Sequence, residues 1–134
     1  MKRVVIFLLL IINISFADDS LGVVRDKSAH LEWQDSPEVS EKINIWKMAK
    51  AHCESMYYKG FNDWRLPSKS ELLRLAKSKS LKKGFSYLGD YLYWSKDEEQ
   101  EDELNAYVVY LPNGFVSLSD KCEKNYALCV RDIK

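Results

Sequence analysis

Nine consecutive residues, Trp64-Arg65-Leu66-Pro67-Ser68-Lys69-Ser70-Glu71-Leu72, describe a joint that any fold of this chain must contain. Pro67 biases Leu66 toward an extended backbone. Ser68-x-x-Glu71 has the form of a capping box, in which the serine oxygen accepts from the amide of Glu71 and the glutamate accepts from the amide of Ser68. Pro67 stands just outside that cap, where a missing N–H does no harm. The pattern predicts a strand-like approach, a corner, and a helix from about Lys69 to Lys79 with Leu72, Leu73 and Ala76 inward. No general base or metal ligand lies beside the cluster, which favours architecture over catalysis. Trp64 reads as a plug for the core, and Arg65 as the partner of a carboxylate or of loop carbonyls.

An earlier helix is expected after Asn44, a good N-cap residue. Trp46, Ala49, Cys53 and Met56 recur at spacings of three, four and three, which places them on one face. Lys47, Lys50 and Glu54 share the wet face, and Gly60 is the expected stop. Cys53 therefore points inward. Before this helix, Leu21–Val24 and Leu31–Gln34 read as short strands around a turn at 25–30, and residues 38–43 as a polar lead-in. After the joint, 81–90 reads as a loop and Tyr91–Ser95 as a β-prone run. Lys96–Glu103 reads as a solvated acidic loop. Ala106–Leu111 and Phe115–Ser119 flank Pro112-Asn113-Gly114, a strong hairpin signal. Tyr126–Arg131 reads as a last strand.

The first 17 residues, MKRVVIFLLLIINISFA, have a basic start, a short apolar run and a small-x-small end, the pattern of a secretory signal peptide. A mature chain of residues 18–134 is then expected as a single small domain of 117 residues, with no membrane span after cleavage, in the periplasm or secreted. Without the leader's two basic residues it holds 18 basic and 20 acidic side chains, a net charge of −2, which argues against a general nucleic-acid binder. Export permits disulfides. The three cysteines, Cys53, Cys122 and Cys129, leave at least one without an intrachain partner.

Several patterns occur in a distinctive order: "VVRDKSAHLEWQD", Trp46-x-x-Ala49-x-x-x-Cys53, "GFNDWRLPSKSEL", Tyr93-Trp94-Ser95, the Asn-Gly hairpin and a final Cys129-Val130-Arg131. Together they resemble the DUF1566 family, also called the C-terminal domain of the Legionella collagen-like adhesin, over about residues 21–132. The resemblance implies an α+β, C-type-lectin-like fold, with two helices flanking a small, mostly antiparallel sheet and the N- and C-terminal strands adjacent. Trp46, Trp64, Arg65, Pro67, Ser68, Glu71, Trp94 and Arg131 are then structural motif positions. It implies Cys53 and Cys129 as the usual pair, with Cys122 an addition left free to cross-link. His30 stands where the family usually has glycine, and no collagen-like stalk is present. The related adhesin domain binds sulfated glycosaminoglycans.

Among chemistries, zinc needs three or four ligands, and His30 and His52 form no ligand pair. Lectin-type calcium signatures are absent, so no metal and no cofactor are expected. The function expected is an exported non-enzymatic binding module. Lys69, Arg74, Lys77, Lys79, Lys82 and Lys83 lie on or just after the second helix, and Arg74, Lys77, Lys82 and Lys83 are the candidates for holding an anionic or sulfated glycan or envelope polymer. The alternative reading is a structural or protein-interaction subunit of the cell envelope with an envelope protein as partner. A third, a thiol-dependent enzyme, would centre on Cys122.

Overall fold

The computed structural model describes residues 21–134; the leader assigned to residues 1–17 lies outside them. The element order is β1 (Val23–Asp26), β2 (Leu31–Gln34), α1 (Glu38–Glu41), β3 (Ile43–Asn44), α2 (Trp46–Ser55), α3 (Lys69–Lys77), α4 (Lys79–Lys83), β4 (Leu92–Glu98), β5 (Asn105–Tyr110), β6 (Phe115–Asp120), β7 (Asn125–Tyr126) and β8 (Val130–Asp132). The class is α+β. There are two sheets rather than one: β1-β2-β8, and β3-β7-β4-β5-β6. Every pairing is antiparallel except the single β4–β7 contact. The C-terminal strand β8 meets the N-terminal hairpin through β2.

The larger sheet is buried on both faces, and alternation along its strands divides the core in two. Tyr93, Val109 and Leu111 face α3, where they join Leu72, Leu75 and Ala76 with Val24, Trp33 and Val130 of the small sheet. Trp94, Ala106 and Val108 face α2, where they join Trp46, Ala49, Cys53, Trp64 and Leu66. Two indole N–H groups on the α2 side are met by backbone: Trp46 Nε1 donates to the carbonyl of Ser95 (2.9 Å) and Trp94 Nε1 to that of Asn44 (2.8 Å); that of Trp33, in the other core, is buried without a partner among the described residues. Cys53 and Cys129 are joined by a disulfide across 76 residues of chain, tying α2 to the segment leading into β8.

Several local expectations change. Asn44 caps nothing: it sits in β3, and α2 follows Ile45, which supplies no side-chain cap. The carbonyl of Lys121 accepts the amide of Trp46 instead (3.0 Å), a partner far along the chain. Gly60 does not end the helix, which stops at Ser55. Lys59 (φ 55) and Gly60 (φ 85) instead form the two central positions of a tight turn closed by Tyr58 and Phe61, with the positive φ angles of a type I′ turn. The lead-in at 38–43 contains one turn of helix, α1, because Val39 is fully buried. Leu75, absent from the inward set read from the helical period, is also fully buried, while Leu73 is only partly so.

The stretch 81–90 is helical as far as Lys83, with Ser78 accepting the amide of Leu81 (3.2 Å). β1 continues through Arg25 and Asp26 because both side chains find partners across the structure. The acidic loop begins later, since Lys96–Glu98 extend β4 past an irregularity. The last strand is two strands, β7 in one sheet and β8 in the other. His30 occupies the left-handed region (φ 56) at the glycine-favouring position, as histidine does more readily than most residues.

Truncating Trp64, which is 2% exposed, should cost about 3–5 kcal/mol by leaving a core cavity. Removing the disulfide by replacing Cys53 and Cys129 together with alanine should cost about 2–4 kcal/mol. Chemical denaturation reads both. A Trp64→Ala variant with an unchanged midpoint would contradict the core role.

Candidate functional site

The corner at residues 64–72 is densely bonded to the rest of the fold. Trp64 Nε1 donates to the carbonyls of Tyr58 (3.2 Å) and Phe61 (3.1 Å), so the indole closes the tight turn. Arg65 exchanges two backbone bonds of 2.8 Å with Val130, which makes the corner a short extra rung beside β8. Its guanidinium forks onto Glu71 (2.8 and 3.0 Å) and onto Asp132 (2.9 and 3.1 Å), and also reaches the carbonyl of Leu66 (3.2 Å). Ser68 and Glu71 complete the reciprocal cap at 3.0 and 2.8 Å. Pro67 is buried, and its carbonyl accepts the amide of Lys96 (2.8 Å). The side chain of Asp97 takes the amide of Lys69 (2.6 Å). The side chains of Trp64, Arg65 and Glu71 are thus all engaged within the fold.

Burial alone would raise the Glu71 carboxyl. The Arg65 hydrogen bonds, the Ser68 amide and the Arg65 charge outweigh that and hold it below the usual carboxylate range. The hydrogen bonds from Arg65 likewise depress Asp132.

A second charged array lies on the outer face of the small sheet. Arg25, Glu32 and Arg131 form one rung across β1, β2 and β8. Glu32, 3% exposed, accepts from Arg25 (2.7 Å) and Arg131 (3.0 Å). Arg131 also donates to Asp63 (2.7 Å), and the Phe61 ring lies 3.4 Å from its guanidinium carbon. These pairs border a shallow groove of about 680 Å³. Arg131 is therefore a buried structural cation, held by two carboxylates and an aromatic face.

Arg74 is also ion-paired, although its side chain is about half exposed. Its guanidinium grips Asp26 (2.5 and 3.0 Å) and the hydroxyl of Ser28 (2.6 Å), pinning α3 to the end of β1. The Arg74 hydrogen bonds hold the Asp26 carboxyl below its ordinary range. Nothing near Arg74 in sequence announces a partner 48 residues away.

Lys77, Lys82 and Lys83 come together, with Lys79, around the C-terminal end of α3 and α4. None of the four is within ion-pair distance of a carboxylate among the described residues. Lys82 Nζ lies 3.4 Å from the carbonyl of Pro112. A Cβ built on Gly114 would lie 3.7 Å from Lys77 Cε. Both lysines thus flank the β5–β6 turn. Beside them, a cleft of about 360 Å³ is lined by Phe85, Leu88, Leu111 and Pro112, with Lys82 and Asp90 also at its wall. The acidic segment 97–101 lies at the other end of α3, bordering a groove with Lys69 and Tyr107. A nine-residue helix is about 13 Å long, so that segment does not neutralise the lysines.

The remaining sequence candidates are dispersed. His52 approaches Glu38 (3.8 Å) on α2, and His30 is in the β1–β2 turn. No group of three or more metal-ligating side chains occurs among the described residues. Cys122 is exposed and unpaired in the turn after β6, with its amide on Asp120 (2.8 Å).

The depressed carboxyls at 71 and 132 stabilise the fold above the unfolded carboxylate pKa, and that contribution is lost as pH falls through their lower folded values. Thermal melts should therefore drop below about pH 4. Glu71→Gln keeps a capping amide but loses the charged fork; it should cost about 1–3 kcal/mol at neutral pH and flatten the acid limb. Parallel curves for the variant and the parent would remove Glu71 from the acid response.

No curated protein matches the chain. The Lcl C-terminal domain family matches residues 22–131, from just before β1 into β8. The Arg65 corner, the tight turn, the disulfide and the β5–β6 hairpin all fall within those bounds, and on that match the chain belongs to the Lcl C-terminal domain family, a domain associated with adhesins.

Proposed function

We propose that this protein is an exported, non-enzymatic binding module that holds an anionic polymer, such as a sulfated glycan or an acidic envelope polymer, at the lysine-rich end of α3 and α4. The observation that carries this reading is a division of labour among the cations. The four described arginines, Arg25, Arg65, Arg74 and Arg131, are all in ion pairs. Lys77, Lys79, Lys82 and Lys83 are not. Unpaired lysines on one short segment concentrate positive potential locally, even on a domain whose net charge is slightly negative, because screening limits each interaction to about 8–10 Å.

The cleft beside Lys82 supports the same reading. Its lining includes the half-buried Phe85 and Leu88, against which a sugar ring can lie while its sulfate or carboxylate meets Lys82, away from Asp90. Membership in an adhesin-associated family favours an envelope or extracellular setting. No helix among the described residues is long and apolar enough to cross a membrane.

Heparin chromatography tests the proposal. The protein should be retained at low salt and elute as salt rises. Lys82→Glu with Lys83→Glu should abolish retention while melting like the parent, since both side chains project from a surface helix. Arg74→Gln should lower stability far more than retention. Elution of the folded parent in the low-salt flow-through would reject the reading.

A further inference from the structure

The outer edge of the larger sheet is unprotected, and its chemistry is self-complementary. β6 closes the sheet at one side, hydrogen-bonded to β5 alone. The amide of Lys121 bonds the carbonyl of Leu104 (2.8 Å), continuing the Asp120↔Asn105 register. Alternation in an antiparallel ladder then turns residues 115, 117 and 119 toward β5, and turns 116, 118 and 120 outward. At Asp120 the outward groups are used locally: its amide donates to Glu123 (3.0 Å), and its carbonyl accepts the amide of Glu123 (2.8 Å). The N–H and C=O groups of Val116 and Leu118 have no partner among the described residues.

Edge strands are commonly guarded by lysine, proline or a bulge. β6 has none of the three: it reads Phe-Val-Ser-Leu-Ser-Asp in unbroken register. Phe115 is 64% exposed and Leu118 41%. We infer that β6 is an interface with a second copy of this chain, the two strands pairing antiparallel about a two-fold axis at Ser117. In that register Val116 faces Leu118 of the other copy, twice, and the four outward groups of each strand make four hydrogen bonds in all. Both Val116–Leu118 pairs fall on the α3 side of the sheet, where they extend the apolar layer that Val116 already joins. Ser117 meets its own counterpart. Asp120, the strand's one charge, falls opposite Gly114, so no like charges face each other. The ladder ends where Asp120 is already satisfied, so the match is limited to the residues that need it. An edge contact this short is a weak, reversible interface. It does not depend on polymer binding, because Lys77–Lys83 lie outside the paired strands.

Cysteine scanning in a Cys122→Ser background tests the register. Directly opposed residues in a non-hydrogen-bonded pair have Cα atoms about 4.5 Å apart, so Ser117→Cys should cross-link to itself under mild oxidation. Phe115→Cys should not, because its counterpart lies four residues along the partner strand, about 13 Å away. Sedimentation of the reduced parent, up to about 1 mM, should show a monomer–dimer equilibrium. Val116→Lys with Leu118→Lys places lysines opposite one another and should leave only monomer with an unchanged far-UV spectrum. A parent that stays monomeric throughout, or a folded Ser117→Cys that cross-links no faster than Phe115→Cys, would overturn the inference.

Discussion

The guanidinium of Arg65 is the contact on which the arrangement of the whole domain depends. One side chain holds the capping carboxylate of α3 and a carboxylate of β8 together, and its backbone is bonded to Val130. Arginine is the residue suited to this, since its planar fork can satisfy two carboxylates at once without losing its charge. The consequence reaches both cores. Trp64 on one side of Arg65 fills the α2 core, while Leu72 and Leu75, carried by the helix that Glu71 caps, fill the α3 core. The corner therefore sets the angle at which the helix meets the sheet. Its density of polar atoms reflects that mechanical duty and not a ligand.

What the sequence revealed of this corner, and what it hid, follows the range of the interactions. The capping box and the Asn-Gly hairpin are local, and both are legible because their partners lie within a few residues. Asn44 looked like a cap for the same local reason, but the carbonyl of Lys121, on another element, competes for that end of α2. Val39 carries no periodic signal in a single helical turn, so α1 is visible only through the burial it produces. Tyr126–Arg131 is one apolar run that serves two sheets; a run of residues cannot announce that its neighbours change midway. Arg74 shows the same blindness for charge. On a helix face rich in lysine it reads as one more surface cation, and only the tertiary structure brings Asp26 to it.

That separation of arginine from lysine bears on function. The guanidinium groups in this fold lie against carboxylates from other elements, where removing one partner would strand a charge in a partly desolvated site. The ammonium groups at the end of α4 are in no ion pair among the described residues, where their one polar contact is that of Lys82 with the carbonyl of Pro112. A polyanion binding there displaces water and counterions but breaks no native ion pair, so little reorganisation opposes it. By contrast, in the groove over Arg131 the two guanidinium groups are already committed to Glu32 and Asp63, and only Lys27 and Lys134 at its border are outside ion pairs among the described residues. A ligand entering it would have to compete with two existing carboxylates. Paired guanidinium groups and unpaired ammonium groups therefore offer unequal opportunities for binding.

The same reasoning explains where the domain can meet other macromolecules. α2 and α3 cover the two faces of the larger sheet over its central strands, so its open apolar surface lies mainly on β6. Its opposite margin is shielded as well: β3, the far strand, is two residues long and continues almost directly into α2. What stays available is the β6 margin and the turn that leads into it. Lys77 and Lys82 crowd that turn from the helical side, while Val116 and Leu118 offer free backbone groups a few residues further along. Charge and unpaired backbone thus occupy neighbouring but separate stretches of one hairpin. A polymer held by the lysines and a strand laid along β6 would contact different atoms, so the hairpin can serve both without either displacing the other.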